Sequence, residues 1–350
     1  MSAPALKGGF LALMAAALFG LSTPLVQYFG QGLGAFTTAA LLYAGAAAIA
    51  LLMRQPPERE AALRRSDSTR ILAMAGFGAV IGPVALAWGL QRTSGSSASL
   101  MLTLEALFTA VLAWRLYGET MDKRVGLAML FLLAGGIVLV LEQGLVGGTH
   151  LVGLLAVLVA TAAWGVDNAL SRGVSERDPG QVVLAKAAIG AVATVGLALV
   201  FGEPLPALGP AAALLAVGAT GYGLNLRLYL LAQRAFGAGR TGSVFAFAPF
   251  IGASAAFAVG SRAGSWLLLA GGALMLAGIV LHLFETHRHA HIHETLEHEH
   301  AHDHRPGHGD GHHQHSHDVL PTGQHSHWHR HEPVQHTHPH VPDAHHLHTH

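Results

Sequence analysis

The chain has 350 residues, of which 51% are hydrophobic, only 11% are charged and none is cysteine. Soluble globular domains carry about 25% charged residues, so this composition excludes an ordinary soluble domain. The lack of cysteine excludes disulfides and thiolate metal sites. The formal net charge is zero with neutral histidine, which gives no sign of a nucleic-acid partner.

The composition changes sharply along the chain. Residues 1–286 are rich in Ala, Leu, Gly and Val, whereas residues 287–350 hold 24 of the 26 histidines. The first apolar segment follows only Lys7 and shows no small-residue cleavage site, so we expect no secretory signal. The sequence therefore predicts a membrane-embedded front part and a tail outside the bilayer.

Ten apolar segments predict an all-α polytopic membrane protein. A bilayer core about 30 Å thick needs about 20 mostly apolar helical residues to cross it, and these segments lack the charged faces of soluble core helices. The predicted spans are Phe10–Phe29, Phe36–Met53, Ile71–Leu90, Ala98–Leu116, Val125–Leu141, Leu151–Leu170, Val182–Phe201, Ala211–Leu231, Gly242–Val259 and Trp266–Leu283.

The short loops predict the orientation, because cytoplasmic loops carry an excess of Lys and Arg. With the N-terminus in the cytoplasm, the outer flanks hold only Arg92 and Arg262. The inner flanks hold Lys7, Arg54, Arg59, Arg64, Arg65, Arg70, Arg115, Lys123, Arg124, Arg172, Arg177, Arg234 and Arg240. Ten crossings return the C-terminus to the cytoplasm, so we expect a multi-pass protein of the cell's inner membrane with both termini inside.

Two stretches repeat in order. "LMAAALFGLSTPLV" (Leu13–Val26) aligns without a gap on "LVATAAWGVDNALS" (Leu158–Ser171), and Leu104–Glu119 corresponds to Phe247–Arg262. We therefore predict two five-helix repeats, 1–145 and 146–286, followed by a tail, 287–350. Because five is odd, the two repeats would be inserted upside-down to each other, as in many secondary transporters.

The fourth predicted span carries a family resemblance. "TSGSSASLMLTLEALFTAVLAWRLYGE" (Thr93–Glu119) resembles the helix of EamA-type permeases of the drug/metabolite transporter superfamily, which runs from a Thr-Ser-Ala-like start to a Gly-Glu end. The family's mid-helix proline is replaced by Ala106 here and is present as Pro249 in the second half, where Arg262 replaces the terminal Glu.

The resemblance covers about residues 8–285. "AWGVDNALSR" (Ala163–Arg172), "DPGQVVLAK" (Asp178–Lys186) and the His-rich tail resemble a bacterial subgroup of that family. The resemblance implies a ten-helix transporter but does not name the solute.

Four charged residues lie in the interior of the predicted spans, away from the span ends, and a charge in that position is costly. They are Glu105, Asp167 (beside Asn168), Lys186 and Arg227. Two negative and two positive groups could neutralise one another inside the bundle. Burial raises the pKa of a carboxylic acid in general and a neighbouring cation lowers it, so a carboxylate between these two effects could take up and release a proton. Alternatively, Lys186 and Arg227 snorkel to the interface, and Asp167 only caps or bonds to a neighbouring helix.

Tyr222 and Asn225 are three residues apart on one span, hence on one helical face. We predict that they line the transport pathway with the four charges and Asn168. Ordinary packing between helices is the alternative for both residues.

The histidine tail predicts transition-metal binding, because neutral imidazole suits Zn, Ni, Co and Cu. Gly, Pro and polar residues leave it too little apolar area to fold, so we expect disorder without metal. Glu285, His289, His293 and Glu297 would stack on a continuing helix, whereas His-x-His alternation suits an extended chain. The candidate ligands are His289, His293, His298, His300, His302, His304, His313, His315, His317, His325, His327, His329 and His331. A pH sensor is the alternative.

Three functions follow. The first is a proton-coupled secondary transporter of a small solute, working by alternating access, with a metal-binding tail. The second transports a divalent transition metal fed by the tail, and the third is a membrane-tethered metal buffer or sensor. The sequence has no Gly-Lys-Ser/Thr phosphate loop and no His-Glu-x-x-His on any predicted span, so we expect no enzyme and no cofactor required for folding. The expected partners are lipid, solute, protons and metal ions, and a homodimer is left open.

Overall fold

A computed structural model shows a bundle of α-helices followed by short strands. It describes residues 3–53, 61–117, 123–174, 177–236, 238–260, 265–283, 287–293, 296–302, 325–331 and 334–340. The first half contains α1 (Ala3–Phe29), α2 (Ala35–Leu52), α3 (Ser68–Met74), α4 (Gly82–Leu90), α5 (Gly95–Met101), α6 (Leu104–Tyr117) and α7 (Lys123–Val146).

The second half repeats this order. It contains α8 (Gly148–Ser171), α9 (Pro179–Val200), α10 (Leu208–Val217), α11 (Asn225–Phe236), α12 (Ala238–Phe245), α13 (Ala248–Ala258) and α14 (Trp266–Leu283). Short 3-10 turns at Arg65–Asp67 and Arg172–Val174 precede α3 and follow α8.

Eight helical stretches within the described residues are long and apolar enough to cross a membrane. They are Lys7–Phe29, Ala35–Leu52, Arg65–Leu90, Gly95–Leu116, Lys123–Val146, Gly148–Val174, Pro179–Val200 and Leu208–Gln233. The ninth and tenth predicted spans coincide with the shorter apolar helices Ala248–Ala258 and Trp266–Leu281. Large aliphatic side chains such as Leu130 and Val192 are exposed on the bundle, as expected of a surface that faces lipid.

Matching irregularities interrupt both halves. A π-helical segment, Ala75–Ile81, joins α3 to α4, and another, Gly218–Leu224, joins α10 to α11. A two-residue turn at Leu102–Thr103 separates α5 from α6, and a turn at Ala246–Phe247 separates α12 from α13. Pro249 occupies the first turn of α13, where its missing N–H leaves no bond unmade. Four breaks therefore fall at corresponding places in the two halves.

The helix packing has the same internal symmetry. Helix α2 packs on α9, and α7 packs on α14. Helix α1 packs on α11 and α13, whereas its counterpart α8 packs on α4 and α6. Exchanging the halves maps the α2–α9 and α7–α14 contacts onto themselves and the contacts of α1 onto those of α8. The two halves therefore meet around a pseudo-two-fold axis.

The tail differs from the predicted disorder over the segments that the structure describes. β1 (His287–His293) pairs antiparallel with β4 (Val334–His340), and β2 (Leu296–His302) pairs antiparallel with β3 (His325–His331). The helical continuation of the last span is also not formed there. The alternating His-x-His pattern has the two-residue period of a strand, which favours the extended form.

The predicted metal ligands divide between these strands and the rest of the tail. His304, His313, His315 and His317 lie outside the described residues. The other nine lie on strands, and the backbone register sets His298, His300 and His302 opposite His329, His327 and His325. Where side chains are described, no group of three or more His, Asp or Glu residues could hold a metal ion.

Candidate functional site

A cavity of about 50 Å³ lies between the two halves. One water needs about 10–15 Å³ on the same measure, so the cavity has room for a few water molecules. It is lined by Phe19, Tyr43, Ala46, Glu105, Trp164, Asp167, Asn168, Val183, Lys186, Ala187, Tyr222, Asn225, Leu226, Tyr229 and Phe245. Six of the seven predicted pathway residues therefore meet at one cavity, although they come from five different helical segments.

An ion pair forms the polar wall of the cavity. The Lys186 ammonium on α9 donates to Asp167 Oδ2 on α8, and both side chains are almost fully buried. Lys186 therefore does not snorkel to the interface. Asp167 Oδ1 is buried and has no hydrogen-bond partner among the described residues. The pair is therefore incompletely satisfied, and its free oxygen can accept from a solute or a proton donor.

Glu105 supplies a second carboxylate to the cavity. It lies in the first turn of α6, directly after the break at Leu102–Thr103. The partial positive charge of a helix N-terminus favours an acidic side chain there. Asn168, one residue beyond Asp167, donates from Nδ2 to Glu105 Oε1. This contact links the broken helix of the first half to the ion pair of the second.

The backbone of the π-helical segment Ala75–Ile81 enters the same site through Gly78. Tyr43 Oη donates to the Gly78 carbonyl, and Trp164 Nε1 donates to it at 3.0 Å. A β-carbon at Gly78 would lie 2.3 Å from Asp167 Oδ2 and 2.8 Å from Lys186 Nζ. A side chain at this position would therefore force the Asp167 carboxylate and the Lys186 ammonium to shift, whereas glycine lets the backbone approach the ion pair.

Aromatic rings enclose the charged groups. The Phe19 ring meets the rings of Trp164, Tyr222 and Phe245 at centroid distances of 5.6, 6.1 and 5.5 Å. Tyr43 packs edge-on against Tyr222 at 5.6 Å. Such rings exclude water and present π faces that attract cations. The cavity thus combines apolar and aromatic walls with buried charged groups.

Sequence reasoning missed Gly78, Tyr43 and Trp164. Trp164 and Gly165 stood in the repeat alignment as a match for Phe19 and Gly20, but no rule marked them as site residues. From sequence alone, an aromatic residue inside an apolar span is most simply explained by packing between helices, and its neighbours in space are needed to assign it to a site. Gly78 carries no side chain, so its role depends wholly on what lies beside it.

Arg227 lies apart from the cavity. Its Nη1 donates to the Met53 carbonyl at the end of α2, at 2.8 Å. The predicted mutual neutralisation of four charges is therefore wrong for Arg227. The long side chain reaches the end of the bundle instead, as the snorkelling alternative expected.

Two latches join the halves at opposite ends of α2 and α9. We call the first the Asp67 latch: Asp67 Oδ2 pairs with Arg177 Nε at 3.1 Å, and Gln181 Oε1 on α9 accepts from Leu63 N at 3.1 Å. Arg70 also donates to the Gly173 carbonyl at 2.8 Å. The loop before α3 is thereby fastened to the N-terminus of α9.

The Glu203 latch is the counterpart at the other end. The Glu203 carboxylate follows α9 and accepts from Phe36 N at 3.2 Å, and from Thr37 N and Thr37 Oγ1 at 2.7 Å each. These bonds satisfy free N–H groups in the first turn of α2. Phe201 stacks on Phe36 at 5.1 Å. Each latch thus fastens a loop of one half to a helix N-terminus of the other half.

Comparison with known proteins identifies relatives. The profile of the EamA-like transporter family matches residues 6–141 and again 151–284. An uncharacterized transporter of Methanothermobacter thermautotrophicus is 26% identical over 295 residues, which cover 78% of this chain and 85% of that protein. The crystal structure of another protein superposes on this chain with a TM-score of 0.56 at 20% sequence identity. The match covers 80% of this chain and 95% of the other chain. That last likeness supports the fold alone.

Proposed function

Because the chain belongs to the EamA-like transporter family, we propose that it is a proton-coupled secondary transporter of a small solute, which binds in the cavity between the halves. The chain is a multi-pass membrane protein, and the family whose profile it matches is one of transporters. We place it in the inner membrane with both termini in the cytoplasm, as the distribution of Lys and Arg predicts.

One observation carries the proposal: Glu105 and the Asp167–Lys186 pair line the same small cavity. Charged groups inside a membrane bundle are costly and commonly belong to solute or ion pathways. Glu105 hydrogen-bonds to Asn168 rather than to a cation among the described residues. Adding a proton to Glu105 therefore changes the net charge of the cavity, which couples protonation to solute binding.

Alternating access follows from the symmetry of the halves. We propose ten spans, in which the two short apolar helices complete the second repeat. With five spans in each repeat, the pseudo-two-fold axis lies in the membrane plane and the repeats are inverted. The Asp67 latch then closes the cytoplasmic side and the Glu203 latch closes the outer side. Opening one latch while the other stays closed exposes the cavity to one side at a time.

The broken helices support this placement of the solute. Inverted-repeat transporters bind their substrates where discontinuous helices expose helix ends near the midplane. Here the break between α5 and α6 places Glu105 at a helix N-terminus beside the cavity. The corresponding break between α12 and α13 follows Phe245, which lines the same cavity. Both breaks are therefore located where a solute would have to bind.

We propose that the tail binds Zn, Ni, Co or Cu through its histidines and that these ions are not the cargo. Imidazole suits these metals, and the tail holds 24 histidines. Lys186 lines the cavity, where its positive charge would repel a divalent cation. The position of Lys186 therefore favours a small-solute transporter with a metal-binding tail over a transporter of divalent metal ions.

A tolerance screen tests the proposal. Cells with and without the protein are exposed to a panel of metabolites and metal salts, and the screen is repeated without residues 287–350. Solutes that discriminate are then tested in proteoliposomes containing a pH-sensitive dye, with Glu105→Gln as the control variant. Solute-dependent proton movement that the variant lacks supports the proposal. Equal proton movement in both proteins contradicts it.

A further inference from the structure

A further buried carboxylate, that of Glu142, lies outside the cavity. Glu142, near the C-terminal end of α7, is 3% exposed, and its neighbour Gln143 is 2% exposed. Neither residue lines the cavity. On the predicted orientation, this end of α7 lies at the outer side of the membrane. The proposed transport mechanism makes no use of Glu142.

Neutral side chains surround the Glu142 carboxylate. Ser265 Oγ, directly before α14, donates to Glu142 Oε1 at 3.0 Å. Gln143 Nε2 donates to Glu142 Oε2, and Ser97 Oγ on α5 lies 3.5 Å from the same oxygen. The carboxylate thus connects three helices, α5, α7 and α14, through groups that carry no charge.

A second layer of polar groups continues from these contacts. Gln143 Nε2 also donates to Ser97 Oγ at 3.0 Å, and Gln143 Oε1 accepts from Thr93 Oγ1 at 3.0 Å. Ser94 Oγ lies 2.8 Å from Ser97 Oγ. Ser97 and Thr93 are both buried. Five polar side chains therefore form one connected network around a single negative group.

No positively charged side chain among the described residues pairs with the Glu142 carboxylate; the recorded pairs join Arg177 to Asp67 and Lys186 to Asp167. Ser265 caps α14 by accepting from Leu268 N at 3.0 Å, so a helix N-terminus offers a partial positive charge. The partial charge of a helix N-terminus is smaller than the full negative charge of a buried carboxylate, which is stable only when a whole positive charge or a proton compensates it.

We propose that Glu142, Gln143, Ser97 and Ser265 form a binding site for a monovalent hard cation, Na⁺. Hard cations take oxygen ligands, and two carboxylate oxygens and two hydroxyl oxygens already converge here. A half-turn of the Gln143 amide places its oxygen, instead of its nitrogen, beside Glu142 and Ser97. One positive charge neutralises the single carboxylate, whereas a divalent ion would leave an uncompensated positive charge in a buried site.

Sodium binding to the purified full-length protein tests this site directly. Equilibrium binding of radioactive ²²Na⁺ in detergent is measured at constant pH and ionic strength, with K⁺ or choline as the replacing cation. Thermal unfolding under the same conditions provides a second readout, because an ion that binds only the folded state raises its stability. We expect saturable Na⁺ binding and Na⁺-specific stabilisation.

Three variants locate the ion. Glu142→Gln keeps the shape and should abolish binding. Ser265→Ala removes one of the two hydroxyl oxygens of the site, which also orients the carboxylate, and should raise the dissociation constant about 10-fold. This variant keeps the test usable if Glu142→Gln does not fold. Glu105→Gln changes the cavity carboxylate and should leave Na⁺ binding unchanged, so the result does not depend on the transport proposal.

Several results would overturn the site. Equal thermal stability in Na⁺, K⁺ and choline salts at the same ionic strength would show that no Na⁺-specific site exists. Stabilisation by lowered pH with no effect of Na⁺ would indicate a protonated Glu142 instead. Unchanged ²²Na⁺ binding in both Glu142→Gln and Ser265→Ala, or its loss in Glu105→Gln, would place the ion elsewhere.

Discussion

The Lys186 ammonium and the Asp167 carboxylate form an ion pair deep in the helical bundle, where their side chains are 5% and 6% exposed. Each charge compensates the other in surroundings that otherwise consist largely of aromatic and aliphatic groups. The pair belongs to α8 and α9 of the second half alone. In the repeat alignment the position of Asp167 corresponds to Ser22, so the charges break the symmetry of the two halves.

Removing one partner of this pair should destabilise the protein strongly. We expect Asp167→Asn or Lys186→Met to lower the free energy of unfolding by about 3–5 kcal/mol, because each leaves an uncompensated buried charge. The double variant should recover much of that loss but should not transport. Denaturation of the purified variants measures the effect, and additive losses in the double variant would contradict the pairing.

Glu105→Gln should abolish proton-coupled transport and leave the fold intact. The amide has nearly the same shape, and its oxygen can still accept from Asn168 Nδ2, but it cannot release a proton. Proton-dependent flux in proteoliposomes measures the effect, and thermal unfolding checks the fold. A variant that retains proton-dependent flux would show that Glu105 does not couple transport to protons.

Gly78→Ala should disrupt the ion pair by steric contact. The new methyl group would overlap the Asp167 carboxylate, 2.3 Å away, and crowding of this kind costs about 1–3 kcal/mol. Gly76→Ala is the matched control, since a β-carbon there meets nothing within 4 Å. Thermal unfolding of the two variants should differ clearly. Equal stability would mean that the backbone does not approach the pair as closely as described.

Weakening one latch should favour opening on that side. Glu203→Ala removes the cap of α2, which is worth about 1 kcal/mol, so we expect about a fivefold shift towards the outward-open form. The chain has no cysteine, so Ala46→Cys in the cavity gives a single reporter. Labelling with a membrane-impermeant maleimide from outside should become faster.

Asp67→Ala serves as the matched variant at the other latch. It removes the ion pair with Arg177 and should speed labelling of the same Ala46→Cys reporter from the cytoplasmic side. Vesicles of both orientations separate the two effects. If both variants change labelling from the same side, the latches do not act as opposed gates.

Deleting residues 287–350 should remove most Zn²⁺ or Ni²⁺ binding without unfolding the membrane part. The deleted segment holds 24 of the 26 histidines, and imidazole is a good ligand for both ions. Isothermal titration calorimetry compares the full-length and shortened proteins. An unchanged number of bound ions would contradict metal binding by the tail.

The sequence alone determined the helical membrane architecture and most of the candidate site. Spanning length and apolar composition are local properties of each segment, so the regions of the spans could be predicted without knowing their neighbours. The cost of a charge in a bilayer singled out Glu105, Asp167 and Lys186, and all three line the cavity. Arg227 met the same criterion but lies elsewhere, because a long side chain can leave the membrane interior.

Only the tertiary structure decided which groups meet. It paired Lys186 with Asp167, set the Gly78 backbone beside them and enclosed both with rings from distant helices. Glu142 fell one residue beyond the fifth predicted span, yet α7 continues to Val146 and buries that carboxylate. Helix packing determines such contacts, because it brings together side chains that are far apart in sequence and that no local pattern connects.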